Sequence, residues 1–532
     1  MDQFVLLMLV LLGALITVPL GDRLGLPSPV LMTLLGLLLA VLPFVPNVDV
    51  PPGIVLPLLL PPLLYAAVQR TSWRQFAANW QPIFLLAVAL VFVTTAAVAA
   101  TAHALVPGLP LAAAAALGAL VAPPDPVAAT AVAGRLGLPR RMVSLLEGEG
   151  LFNDVTAIVL YHVAIAAVVT GSFSWPGALG EFVLSAVVAV LVGLAMGWLG
   201  GRLMGWLGDA TLQVGLSLVV PFVSYALADE LRGSGVLAVL TSAFYLSDRM
   251  LDADDVFGRF ASTTFWQVVD TLVTGVAFGL IGLELHAVLG TVHGRLGTLL
   301  AWSAAVVGVV VLVRLLWLLP AAWLARRLAG KVCGAGQEDT EIPLSWRETV
   351  VMWWAGMRGV ASVALALAIP LETDDGGPFP ERAVIVFIAF SVILATLVVQ
   401  GLTLRWLVGR LGVKADTAAE RELEKRLAVR AAKAAKRRLR EIDEAEDLPD
   451  DVVEVLQRRM MDLGMRISPE AADEERREAY EQRARRVRLL RRVETEMMSA
   501  ARQAVLAARR DPSADPAVVS RVLRRLDARS LR

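Results

Sequence analysis

The chain has 532 residues, 57% hydrophobic and 18% charged, and its 49 basic and 49 acidic side chains cancel. Apolar runs of about 20 residues recur through most of it, which excludes a soluble globular protein and indicates an all-α polytopic membrane protein. A single cysteine, Cys333, excludes an intrachain disulfide and a cysteine-based metal cluster.

The zero net charge conceals a split. Up to about residue 412 the chain is overwhelmingly apolar, whereas from Lys414 nearly every second residue is charged. We therefore divide it into a transmembrane region, 1–412, and a cytoplasmic charged helical region, 413–532. The start, Met1-Asp-Gln-Phe4, lacks a basic n-region, so the first apolar helix reads as retained. Apolar runs between polar punctuation predict about thirteen membrane helices, at 3–20, 28–45, 53–69, 82–106, 111–134, 142–170, 178–207, 211–229, 234–247, 264–288, 296–325, 348–371 and 383–410.

Basic residues set the expected orientation. Arg23, Arg70, Arg74, Arg140, Arg141, Arg202, Arg249, Arg326 and Arg347 fall in alternate loops. The opposite loops hold Arg232, Arg295, Arg382 and the acidic Glu372-Thr-Asp-Asp375. By the positive-inside rule the N-terminus is external and the tail cytoplasmic, which requires an odd helix count. Thirteen divides into two six-helix halves of opposite topology joined by one linker helix, the inverted-repeat plan of many secondary transporters. That plan predicts interrupted helices at matching positions in the two halves.

The fifth span contains Ala122-Pro-Pro-Asp-Pro-Val-Ala-Ala-Thr130. Pro123, Pro124 and Pro126 remove backbone donors and clash with the preceding turn, so the helix breaks here. Asp125 before Pro126 also forms an N-cap and first-turn pair for a new half-helix. Asp125 either balances freed N–H groups and helix-end dipoles or contacts an ion directly.

The sixth span opens on Glu147-Gly-Glu-Gly-Leu-Phe-Asn-Asp154. A charge at the bilayer centre costs at least ~2.5–3.5 kcal/mol, so acids here mark an ion or proton pathway. Glu147 reads as peripheral, near the headgroups. Residues one helical turn apart share a face, so Glu149 lies over Asn153 and Gly150 over Asp154.

The twelfth span contains Ala355-Gly-Met-Arg-Gly-Val-Ala-Ser362, where Gly356 and Gly359 loosen the helix around Arg358. Two breaks at corresponding positions point to a midplane binding site. The buried Arg358 needs an anionic partner, and we assign it to Glu149, leaving Asp154 free to titrate.

At these residues the chain resembles the sodium/proton exchanger branch of the monovalent cation/proton antiporter superfamily. The resemblance runs through most of residues 5–410. It rests on Leu60-Pro-Pro-Leu-Leu-Tyr65, Asp125-Pro126, Glu149 with Asn153-Asp154, Gly279-Leu-Ile-Gly282, Gly356-Met-Arg-Gly359 and Gln400-Gly-Leu-Thr403. It implies a mobile core domain with crossed broken helices, a dimerisation domain and hence a homodimer, and elevator-type alternating access. By position, Asp154 would bind the cation or the proton and Asn153 would orient the unwound backbone. Asp125 would neutralise half-helix dipoles, and Glu149 and Arg358 would form an ion pair. The chain departs from the family pattern at Pro124, Gly150 and Ala66, each removing a side-chain oxygen and leaving ion selectivity open.

A hard monovalent cation needs oxygen ligands, and a half-buried aspartate is neutralised by a proton or by a cation but not by both. Competition for one carboxylate then couples the two fluxes. With Asn153 uncharged and Glu149 committed to Arg358, the expectation is electroneutral one-for-one exchange of H⁺ against Na⁺, with K⁺ or Li⁺ as alternatives, across the plasma membrane. A cation channel and an organic-anion transporter on the same scaffold are the competing readings. No nucleotide-binding, zinc or nucleophile-elbow motif is present, so we expect neither an enzyme nor a cofactor. Among the remaining membrane ionisable groups, Glu284 suits an interfacial position, Arg314 and Asp270 suit a structural pair, and the four scattered histidines suit packing. In the tail, Ala418 to Ala445 and Ser468 to Ala508 favour helix. Basic clusters such as Lys436-Arg-Arg-Leu-Arg440 suit anionic lipid, whereas neighbouring acids argue against nucleic acid.

Overall fold

A computed structural model describes residues 3–24, 26–42, 51–69, 83–125, 137–171, 175–251, 256–291, 296–332, 345–414 and 417–456, with parts of 489–522. The chain divides into two compact units, 1–415 and 416–532. Pro126, the half-helix expected after it, and all of 468–488 lie outside the described residues.

Among its described residues the first unit is helical apart from turns, short irregular segments and one isolated bridge between Glu372 and Pro378. In chain order its helices are α1 (Gln3–Leu24), α2 (Ser28–Val41), α3 (Pro52–Val68), α4 (Leu90–Leu105), α5 (Leu111–Val121), α6 (Arg140–Val169), α7 (Trp175–Trp206) and α8 (Ala210–Glu230). They continue with α9 (Gly235–Leu251), α10 (Val256–Thr291), α11 (Leu296–Val332), α12 (Trp346–Trp354), α13 (Val360–Leu367), α14 (Arg382–Ala395) and α15 (Gly401–Leu411). Two π-helical turns that the hydrophobic pattern does not announce, Leu85–Ala89 and Thr396–Gln400, lead into α4 and join α14 to α15.

Among the described residues, eight helical stretches are long and apolar enough to cross a membrane, and four shorter apolar helices lie at 28–41, 52–68, 111–121 and 235–247. Length and breaks account for the difference from the expected thirteen. At 1.5 Å per residue, the 14 residues of α2 reach only about 21 Å. The twelfth expected span is divided into α12, of 9 residues, and α13, of 8.

Packing sorts the helices into two groups. One holds α1, α2, α3, α7, α8, α9 and α10; the other holds α4, α5, α6 and α11 to α15. They meet where α3 and α10 touch α13, where α10 touches α14, where α3 touches α6 and where α2 touches the turn Thr396–Gln400. Within the first group α10 lies hard against α2, because glycines let the backbones approach. A Cβ on Gly282 would strike the backbone of Thr33, Gly36 and Leu37, and one on Gly36 the carbonyl of Gly279. The second group carries the breaks, and its inner strip on α13 and α14 is almost wholly buried.

Local signals fix several helix ends. Ser345 and Glu348 form a reciprocal capping box at the start of α12, and Asp209 accepts from the Thr211 and Leu212 N–H groups at the start of α8. Glu348 also binds Arg141 of α6 at 2.6 Å, tying the starts of α6 and α12. In the second unit α16 (Thr417–Glu446) covers the first helix expected in the tail.

Candidate functional site

The two breaks face each other. α5 ends at Val121, and residues 122–125, including Pro123 and Pro124, continue without helical hydrogen bonds. α12 stops at Trp354, and α13 restarts at Val360 after Ala355–Gly359. The ends of α5 and α12 leave orphan carbonyls, and the start of α13 leaves orphan N–H groups.

Charges from each break satisfy the ends of the other. Asp125 Oδ2 accepts the N–H of Val360, the first residue of α13, at 3.3 Å, and the Asp125 N–H donates to the Met357 carbonyl at 2.6 Å. An anion thus sits at a helix N-terminus, where the macrodipole favours it. In return, the Arg358 side chain donates to the Val121 carbonyl at 2.8 Å, to that of Ala122 at 3.3 Å and to that of Gly356 in its own break. A cation thus sits at the C-terminal end of α5, again the favoured sign. The Arg358 N–H donates to Thr396 Oγ1 at 3.2 Å, within the second π-helical turn.

The structure corrects the expected partner of Glu149. Glu149 is paired with Arg314 of α11, whose guanidinium binds both carboxylate oxygens, at 2.5 and 2.9 Å. Both side chains are almost completely buried, 1% and 3% exposed. Arg358 is buried as well, but carbonyls at the helix ends satisfy it instead of a carboxylate. Arg314 also reaches the Met352 carbonyl at 3.2 Å through Nη2, and so binds an orphan carbonyl of the last turn of α12. Each broken helix therefore has an arginine at the C-terminal end of its first half, Arg358 for α5 and Arg314 for α12. The expected pairing of Arg314 with Asp270 is replaced by this arrangement. Arg314 is the single charge in the run 296–325, a signal the sequence does carry.

Both glycines of the second break are required by close approach. A Cβ on Gly359 would fall on the Asp125 carboxylate, and one on Gly356 would lie 2.7 Å from Arg314 Cδ.

α6 passes beside the crossing. Asn153 is fully buried, and its Nδ2 donates to the Pro124 carbonyl at 2.8 Å, one residue before Asp125. One position on, Asp154 is half-buried and lies close enough to Asp125 for the two carboxylates to act on each other. Among the described residues no cationic side chain is set against Asp154. Asn153 Oδ1 and Ser362 Oγ are buried oxygens with no protein donor or acceptor among the described residues. Glu147 stands half-buried earlier on α6. The structure thus gathers Asp125, Glu149, Asn153, Arg358, Gly356 and Gly359 around one crossing beside Asp154. It adds Arg314 and Thr396, which sequence reasoning did not place there.

Comparison with known proteins places the chain in a family. Residues 7–410 match the model of the family described as sodium/hydrogen exchanger, transmembrane. The chain is 33% identical, over 96% of its length and 92% of the relative's, to an uncharacterized Na⁺/H⁺ exchanger of Mycobacterium tuberculosis strain H37Rv. It is 31% identical to the sodium, potassium, lithium and rubidium/H⁺ antiporter of Bacillus subtilis strain 168, over 71% of this chain and 57% of that one. In fold it is similar to the sodium proton antiporter MjNhaP1 of Methanocaldococcus jannaschii at pH 8, with TM-score 0.59 and 19% identity, covering 77% of this chain and 98% of the other. The chain belongs to the sodium/hydrogen exchanger family and is a multi-pass membrane cation/proton antiporter.

Proposed function

We propose that this antiporter exchanges one Na⁺ for one H⁺ at Asp154, by alternating access and without net charge movement. The observation that carries the proposal is the charge balance at the crossing. Glu149 neutralises Arg314, and Asp125 and Arg358 carry opposite charges placed on opposite helix ends. Asp154 is then the one formal charge left over among these five residues. One proton or one monovalent cation cancels it, so either loaded form crosses as a neutral site. The bare carboxylate is costly to move through a low-dielectric barrier, which suppresses leak.

Asn153 Oδ1, Ser362 Oγ and the carbonyls exposed by the breaks are the oxygen ligands at hand for a partly dehydrated cation. Pro124, Gly150 and Ala66 offer none from their side chains, so carbonyls and water carry more of the coordination. Such a loose shell admits K⁺ and Li⁺ beside Na⁺, in keeping with the several cations named for the Bacillus relative. A passive pore does not need a lone titratable acid beside two capped breaks. An organic-anion carrier needs spare positive charge, and both arginines are committed.

The breaks, the half-helix ends and α6 all belong to the second packing group, which we assign as the moving core, with the first group as the dimer-forming scaffold. Thirteen spans in two inverted halves, an external N-terminus, a cytoplasmic tail and a plasma-membrane location complete the reading. The test is proton movement in everted vesicles carrying an imposed pH gradient, followed by a pH-sensitive dye after adding Na⁺, K⁺ or Li⁺. Wild type should dequench the dye and Asp154→Ala should not; equal dequenching would refute Asp154 as the coupling carboxylate.

A further inference from the structure

The tail helix α16 carries charge that exchange at Asp154 does not use. From Lys425 to Arg440 it has eight basic residues, eight apolar residues and no acid. At 100° per residue, Lys425, Arg426, Arg430, Lys433, Lys436, Arg437 and Arg440 fall within an arc of about 140°. The apolar residues other than Val429 form a separate stripe, along which Ala428 and Leu439 are buried and Leu427 is exposed. The basic arc faces outward: Arg426 is 76% exposed and Arg437 80%.

Acids neutralise only the ends of this arc. Glu422 approaches Arg426 at 3.6 Å, and Glu441 approaches Arg437 and Arg438 at 3.8 and 3.0 Å. Arg430, Lys433 and Lys436, in the middle, have no ion pair among the described residues. Only five residues, 412–416, separate the last membrane helix from α16.

We propose that the basic face of α16 docks on the anionic lipid surface of the cytoplasmic leaflet and holds the tail against the membrane. The leaflet assignment rests on the cytoplasmic placement of the tail proposed above. Charge complementarity selects the occupant: a continuous anionic plane matches a run of 16 residues with no acid in it. Each basic residue near such a surface shifts the local equilibrium about fivefold.

The test uses the full chain with Cys333→Ser and Val429→Cys, because Val429 lies within the basic arc and is exposed. The labelled protein is placed in nanodiscs of phosphatidylcholine alone, or with a third of the lipid replaced by phosphatidylglycerol. A lipid-borne quencher should reach the label in the anionic discs at ~0.1 M salt and lose it at ~1 M, where the screening length falls to ~3 Å. Replacing Arg430, Lys433 and Lys436 together by Gln, which keeps helix propensity, should weaken docking by roughly 100-fold. Quenching would then fall to the level of the neutral discs. Equal quenching in both disc types, quenching unaffected by salt, or a response to added RNA but not to anionic discs would overturn the proposal. Both faces of a nanodisc are open, so the disc result does not depend on sidedness. Reaction of Val429→Cys with an impermeant maleimide from outside intact cells would refute the cytoplasmic placement alone.

Discussion

The partner of Glu149 can be tested by double-mutant cycles. Both members of the Glu149–Arg314 pair are buried, joined by two hydrogen bonds, and Arg314 also binds the Met352 carbonyl. Removing one member of such a pair strands the other charge, at a cost of about 3–5 kcal/mol. Glu149→Gln keeps the shape and one acceptor, so it should sit near the lower figure. Arg314→Met strands the carboxylate and uncaps Met352, so it should sit near the upper. The double variant has neither charge and retains only an unsatisfied carbonyl, a cost of about 1–3 kcal/mol. The two changes should therefore be strongly non-additive, with a coupling energy above ~2 kcal/mol. The parallel cycle with Glu149→Gln and Arg358→Met should give a smaller coupling, because Glu149 acts on Arg358 only through space while carbonyls hold the Arg358 hydrogen bonds. The measurement is equilibrium unfolding of the purified protein in mixed micelles, followed by tryptophan fluorescence. Coupling near zero for the first pair, or larger for the second, would refute the assignment of charges at the crossing.

Asp154→Asn should abolish cation-dependent proton movement while leaving thermal stability unchanged or higher, since a carboxylate without a cationic partner is replaced by a neutral amide; a marked loss of stability would show that Asp154 is structural. Competition between proton and cation for one carboxylate predicts that the half-saturating Na⁺ concentration rises about tenfold per unit fall in pH on the acid side, whereas independent sites would leave it flat. Asp125→Ala should cost about 0.5–2 kcal/mol by uncapping α13, and Asp125→Asn, which keeps the acceptor, should recover much of this in the same unfolding assay. Gly359→Ala should prevent the crossing from forming and yield little folded protein; normal expression and transport would contradict the close approach of Asp125.

How much of this was legible in the sequence follows from the range of each interaction. Helix positions, the breaks at Pro123–Pro124 and Gly356–Gly359, and the cost of Asp154 are local facts. Apolar run length, missing backbone donors and a charge in an apolar setting are written within a few dozen consecutive residues. The family motifs are local in the same sense, so residues 7–410 are placed in the family by the chain itself.

The pairing of charges is not local. Two arginines, 314 and 358, stand in apolar runs far from Glu149, and no spacing rule says which one reaches it. The choice follows from how α11 packs beside α6 and α12, which puts the Arg314 fork against Glu149 and the Met352 carbonyl together. Arg358 had no visible partner in the sequence because its partners are carbonyls, which any residue possesses. Those of Val121 and Ala122 become a localised negative end only when α5 stops and the other break crosses it. Local composition dictates two helix interruptions and an acidic residue, Asp154, in an apolar helix near them. The tertiary structure alone decided which charge stabilises which helix end, because that depends on distances between segments more than a hundred residues apart.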